Sequence, residues 1–180
     1  MFDFKLIQKD VDVKPIFEEI SKDSSAWFYD TVRQKTIKAH EHTLSIPLRL
    51  GKQEEGILLI NAQECYDTDL VKDFPITINF LEDFAKKESA QLQRVMIVGL
   101  MPLKNVAPHI DIGSYYDKRD RYHLVICSEG KSGMTVLDKK QIMNRGELWK
   151  VNNSLLHTAF NEGSKIRVHV IFDLLPAAAL

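Results

Sequence analysis

The spacing of apolar positions changes character about halfway along the chain. In "DVKPIFEEISKD", Val13, Ile16, Phe17 and Ile20 recur at helical intervals with Pro15 in the first turn, which predicts an amphipathic helix lying on other structure. "HTLSIPLRLG" reads as a strand stopped by Gly51, and "GILLI" (56–60) as a short buried strand. "FPITINFLEDFAKKESAQ" predicts a second helix, begun by Pro75 and carrying Lys86 and Lys87 near its end, where cations suit the helix dipole. From about residue 92 the helical period disappears. "LQRVMIVGLM", "RYHLVICS", "GMTVL", "ELWKV", "LHTAF" and "KIRVHVIFDLL" are short strand candidates rich in Val, Ile, Leu and aromatics. Turn signals at 117–120, 129–130, 144–146, 152–154 and 161–164 separate them. Such regular short strands argue for a barrel or sandwich with helices packed outside, rather than a doubly wound sheet.

Composition narrows the function classes. The 180 residues include 44% hydrophobic and 27% charged side chains, ordinary for one globular domain. A net charge of −1 excludes a bulk electrostatic attraction to nucleic acid or anionic lipid, so neither is an expected partner. Cys65 and Cys127 are too few and too distant for a disulfide scaffold or zinc knuckle and read as reduced thiols. "MFDFKLIQKD" has no apolar signal region, and no apolar run approaches the ~20 residues a bilayer requires. The expectation is a cytoplasmic protein that does not enter a membrane. Oligomeric state is not legible.

The chemistry concentrates in "APHIDIGSYYDKRDRYHLVI" (107–126). A strand turns residues i and i+2 to one side, so His109 and Asp111 in "PHID" can meet one ion. His157 in "NNSLLHTAF" is the obvious third ligand. Two histidines and one carboxylate on one face of a metal are the ligand set of non-haem Fe(II) oxygenases, which leave the other positions open. By itself, however, an HxD pair is more often a surface or hydrogen-bonded pair. The strand alternation adds weight. In "RYHLVI", Arg121 and His123 share a face opposite Tyr122, Leu124 and Ile126. In "KIRVHVIFD", Arg167, His169, Ile171 and Asp173 oppose Ile166, Val168 and Val170. An arginine inside an apolar strand needs an anion. Asp173 or Glu147 would make Arg167 a structural ion pair, while a bound dicarboxylate would make it a clamp gripping carboxylate through two N–H groups.

Taken together, "PHID", then "RYH", then "GELWKVNNSLLHTAFNEGSKIR" resemble the aspartyl/asparaginyl β-hydroxylase family of Fe(II)- and 2-oxoglutarate-dependent oxygenases, which includes free-proline hydroxylases. The resemblance spans roughly 92–175, with a fainter echo in "HTLSIPLRL", and the spacing of Gly146, His157 and Arg167 is similar to the family's. It implies a mainly β fold, a double-stranded β-helix (cupin-like jelly roll) with N-terminal and flanking helices. Residues 1–180 would then form one domain, with 1–91 as support and 92–175 as the core carrying the site. It further implies that His109 and His157 are metal ligands and that Asp111 supplies the carboxylate, where some relatives have glycine. Arg167 would bind the distal carboxylate of 2-oxoglutarate, and Arg121 and His123 would reach the carboxylate beside the metal. Some relatives also carry a hydroxyl residue on the strand before the HxD pair. "MIVGLMP" has none, and His169 is the residue placed to substitute for it.

The implied activity converts 2-oxoglutarate and O2 to succinate and CO2 while hydroxylating a C–H bond. The substrate would be an aspartyl, asparaginyl or prolyl residue or a free amino acid, thus a small molecule or peptide. The alternative is a non-catalytic cupin-like protein binding a metal or small ligand. Elsewhere, His40 and His42 read as an exposed strand start and Trp149 as barrel core. "YYDKRD" (115–120) reads as a solvated loop, with a lid at the site mouth as the other reading.

Overall fold

The computed structural model describes residues 2–52, 58 and 61–179. The strand expected at 56–60 therefore lies outside the described residues except for Leu58, which is exposed. The chain begins with β1 (Phe4–Gln8), α1 (Lys14–Ser21), α2 (Val32–Thr36), β2 (Thr43–Gly51), β3 (Cys65–Asp67) and α3 (Pro75–Lys87). It continues with β4 (Ala90–Leu100), β5 (Lys104–Asn105), β6 (Asp120–Cys127), β7 (Ser132–Val136), β8 (Lys139–Ile142), β9 (Leu148–Val151), β10 (His157–Asn161) and β11 (Arg167–Pro176). The helices and strands expected among the described residues form, with two exceptions. Lys38–His40 is a 3-10 turn, and the strand expected to start at His40 and His42 begins at Thr43. "PHID" lies outside the named strands. Among the described residues no helix is long and apolar enough to cross a membrane.

The strands form two antiparallel sheets. The larger runs β1-β9-β6-β11-β4-β2-β3 and the smaller β5-β10-β7-β8. Apart from the β7–β8 hairpin, consecutive strands of the second half alternate between the sheets, which is the jelly-roll winding expected from the short, evenly punctuated apolar runs. Strand alternation then creates two cores. One lies between the helices and the outer face of the large sheet, where Val13, Ile16, Ile20, Ile78, Leu81 and Phe84 meet Ile97, Tyr122, Leu124, Val170 and Phe172. The other lies between the sheets and holds Leu100, Val125, Met134, Val136, Met143, Trp149 and Val151. Trp149 is barrel core, as expected, and its Nε1 donates to Glu147 Oε2 at 2.9 Å.

The first helix differs from its apolar pattern in two places. Phe17 is 40% exposed, because a 100° step from Ile16 carries it to the edge of the buried stripe. Glu19 is 3% exposed despite its charge. Its carboxylate accepts from the Ile76 and Thr77 backbone N–H groups at 2.7 and 2.9 Å and from Thr77 Oγ1 at 2.6 Å. An acidic side chain from α1 thus caps the positive end of α3 and locks the two helices together.

Candidate metal centre and the cavity behind it

The site lies between the sheets, where strand alternation turns polar residues inward from β6 and β11. "PHID" is extended but is not part of a named strand. His109 forms an isolated bridge with His157, their backbones exchanging two 2.9 Å hydrogen bonds, and the Asp111 N–H donates to Asn153 O at 3.1 Å. This pairing holds His109 and Asp111 on one side and sets both against His157. One ligand atom from each of His109, Asp111 and His157 lies within 4.8 Å of the others, a group able to hold a metal ion.

The hydrogen bonds select the ligand atoms. His109 Nδ1 donates to Ala107 O and His157 Nδ1 to Leu155 O, both at 2.8 Å. A carbonyl only accepts, so each Nδ1 carries the proton and each Nε2 keeps a free lone pair. Burial pushes the His157 imidazole below its usual pKa, which keeps it in the neutral, ligating form. For Asp111, burial works to raise the pKa, but the Arg121 charge, the Asn153 hydrogen bond and the two imidazoles outweigh it and hold the carboxylate ionised.

A cavity opens on this trio. Its walls include Thr43, Val98, Leu100, Met134, Ile171 and Ala159 with the polar groups of His40, Arg121, His123, Asn153 and Arg167. Arg121 and Asp173 stand directly opposite in the β6–β11 register. The guanidinium therefore grips Asp173 through two bonds, Nε to Oδ1 at 2.8 Å and Nη2 to Oδ2 at 2.9 Å, while Nη1 contacts Asp111 Oδ2. Arg167 is different. It is 2% exposed, and among the described residues it makes no ion pair. Neither carboxylate available to it in the sequence is its partner, since Asp173 belongs to Arg121 and Glu147 holds Trp149 and Asn144. Its Nη2 donates to His169 Nδ1 at 2.9 Å, and His123 Nδ1 lies 3.4 Å from the same atom. His169 therefore carries its proton on Nε2, and both that atom and Arg167 Nε are buried with no partner among the described residues. Burial pushes the Arg167 pKa down and, with the neighbouring guanidinium charges, holds both imidazoles well below their usual range. At and behind the cavity floor, the described residues thus place a cation and unpaired N–H donors without a counter-charge, an arrangement suited to an anion.

Of the residues expected at the site, His109, His157, Arg121, His123 and Arg167 line this cavity, Asp111 is held beside it by Arg121 and Asn153, and His169 lies behind Arg167. Three features differ from what the sequence suggested. His40 lines the cavity, its ring 5.7 Å from that of His109 and edge-on to it, whereas His42 beside it is paired with exposed Glu41. Asn153, legible only as a turn residue in "VNNS", donates to Asp111 Oδ2 at 3.0 Å. "YYDKRD" is neither solvated nor a lid at its start. Tyr115 is fully buried between the Arg94 and Arg119 guanidinium groups, 3.7 and 4.3 Å from its ring centre, and its hydroxyl donates to Asp173 Oδ2 at 3.1 Å.

Comparison with known proteins places this architecture. Residues 51–176 match the family described as aspartyl/asparaginyl β-hydroxylase. The L-proline cis-4-hydroxylase of Rhizobium meliloti (strain 1021) is 26% identical over 125 residues, which are 69% of this chain and 44% of that protein. The chain thus spans less than half the length of that relative. An oxidoreductase of the 2OG-Fe(II) oxygenase family from Burkholderia pseudomallei superposes with a TM-score of 0.55 at 9% identity, over 74% of this chain and 66% of the other. EvdMO1 superposes with a TM-score of 0.56 at 10% identity, over 97% of this chain and 47% of the other. These two share the fold. With well over half of its length matched, the chain belongs to the aspartyl/asparaginyl β-hydroxylase family.

Proposed function

We propose that the protein is an Fe(II)- and 2-oxoglutarate-dependent dioxygenase that hydroxylates an aspartyl, asparaginyl or prolyl residue or a free amino acid. The observation that carries this reading is the pairing, within one cavity, of a His–Asp–His group with a buried, unpaired arginine. His109 Nε2, His157 Nε2 and one Asp111 oxygen would hold the metal and leave its remaining positions open. When bound, the iron supplies the oxidising chemistry, with 2-oxoglutarate and O2 as co-substrates. The chain's own residues bind and orient. Arg167, aided by His169, takes the distal carboxylate of 2-oxoglutarate and so gains the counter-charge it lacks. His123, neutral at pH 7, and Arg121, fixed by Asp173, flank the route to the metal and receive the other carboxylate. The cavity walls of Val98, Leu100, Met134 and Ile171 exclude water from the path between them.

Anaerobic addition of Fe(II) and then 2-oxoglutarate tests this reading. The expected result is a weak visible metal-to-ligand charge-transfer band, followed by succinate formation once O2 and substrate are supplied. His109→Ala and His157→Ala should each abolish both while leaving the fold's circular dichroism unchanged. A missing band in the native protein would favour the non-catalytic binder.

A further inference from the structure

The two oxygens of Asp111 have different surroundings. Oδ2 accepts from Asn153 Nδ2 at 3.0 Å and from Arg121 Nη1. Oδ1 faces His109 Nε2 at 3.8 Å, on the side of the ligand cluster. Arg121 is itself immobilised. Its other two nitrogens, Nε and Nη2, each donate to Asp173, which is 1% exposed and also receives the buried Tyr115 hydroxyl. Asn153 is held at its own backbone, its N–H donating to Val151 O and its carbonyl accepting from the Asp111 N–H.

We propose that Asn153 and Arg121 are positioning residues that restrict Asp111 to one-oxygen ligation through Oδ1. This inference rests on the reading that His109, Asp111 and His157 hold a metal ion. An unconstrained carboxylate can bind a metal through one oxygen or both. Here the lone pairs of Oδ2 are already occupied by an amide and a guanidinium donor, and swinging that oxygen onto the metal would break both contacts, one of them charge-assisted. The consequence is functional. A second carboxylate oxygen would fill a position that the co-substrates need. The restraint is built outward in layers: Asn153 and Arg121 hold Asp111, Asp173 holds Arg121, and Tyr115 holds Asp173.

Truncating Arg121 would leave Asp173 buried and unpaired, so Asn153 is the better probe. The test is titration of the metal-free protein with Co(II) alone, reading affinity by chelator competition and coordination number from the intensity of the visible ligand-field bands. Asn153→Ala should weaken Co(II) binding about 10- to 100-fold, the usual effect of losing an outer partner of a metal ligand. Its bands should also weaken as the freed oxygen joins the metal. In an Asp111→Ala background, adding Asn153→Ala should change nothing further, because the effect must pass through that carboxylate. Unchanged affinity and spectrum in Asn153→Ala overturns the inference. So does an equal loss in both backgrounds, which would make Asn153 a support of the fold only. Should Asn153→Ala not fold, Asp173→Asn carries the same test through Arg121, with the same outcomes. Native protein that takes up no Co(II), matching His157→Ala, overturns the metal-centre reading itself, a result distinct from either of the others.

Discussion

Two arginines enter one cavity from neighbouring strands, and their surroundings are opposite. Arg121 faces Asp173 across the β6–β11 ladder and touches Asp111 as well, so Asp173 and Asp111 hold its pKa above the ordinary value against the pull of burial. Arg167, just beyond the end of the same ladder, has imidazoles for neighbours and no carboxylate among the described residues, and burial alone lowers its pKa. The first arrangement is complete in the folded chain. The second lacks a counter-charge among the described residues, which is what the proposed co-substrate would supply.

The contrast can be broken at either arginine. The largest effect belongs to Arg121→Met, which strands a buried Asp173. It should lose about 3–5 kcal/mol of stability, lowering the Tm of the metal-free protein by roughly 10 °C. An unchanged Tm would show that Asp173 needs no partner. Arg167→Met should weaken 2-oxoglutarate binding, read as an apparent KM, by about 30- to 1000-fold, equivalent to about 2–4 kcal/mol. Arg167→Lys should recover little, since an ammonium cannot reproduce the planar fork. Smaller and opposite in sign to the first effect, Arg167→Met should stabilise the metal-free protein by about 1–2 kcal/mol, visible as a higher Tm, because an uncompensated buried charge is gone. A lower Tm would mean that Arg167 is structural after all.

The subtlest test is pH. Burial pushes the Arg167 pKa down, yet a guanidinium keeps its proton at every accessible pH. Its burial penalty is therefore always present, and a carboxylate bound to it would be held throughout. Affinity for 2-oxoglutarate, followed by calorimetry, should stay level from about pH 7 to 10 in the native protein and fall with rising pH in Arg167→Lys, whose buried ammonium sheds its proton more readily.

The same contrast explains what was legible in the sequence. The central strands were, since β2, β4, β6, β7, β9, β10 and β11 carry the apolar alternation that burial on one or both faces demands. The four unread strands, β1, β3, β5 and β8, are the four sheet edges. Their "FKLIQ", "CYD", "KN" and "KKQI" are short, and three of the four carry lysine, as edge strands do to discourage pairing with other chains. At the site, the shared side of His109 and Asp111 and the inward face of β11 follow from i, i+2 spacing, whereas His157, far along the chain, is a candidate third ligand that the family resemblance supports. The partner of Arg167 does not follow from spacing either, because whether Asp173 turns to Arg121 or to Arg167 is decided by cross-strand register. Asn153, His40 and Tyr115 were lost for a related reason. Each looks like an ordinary turn or loop residue until the chain returns a distant partner to it.

The bridge between His109 and His157 carries one more consequence. It extends the β5 edge of the small sheet by a few backbone bonds, and the other side of that edge exposes Ile110 and Ile112. A metal held by His109, Asp111 and His157 would cross-link this border strand to β10 through side chains, beyond what its main chain achieves. Stripped of metal, the border has only its hydrogen bonds against fraying, and fraying presents an apolar, unpaired strand to other molecules. The ion would then be a hem as well as a reagent, with colloidal behaviour in storage and chemistry at the centre tied to the same three side chains.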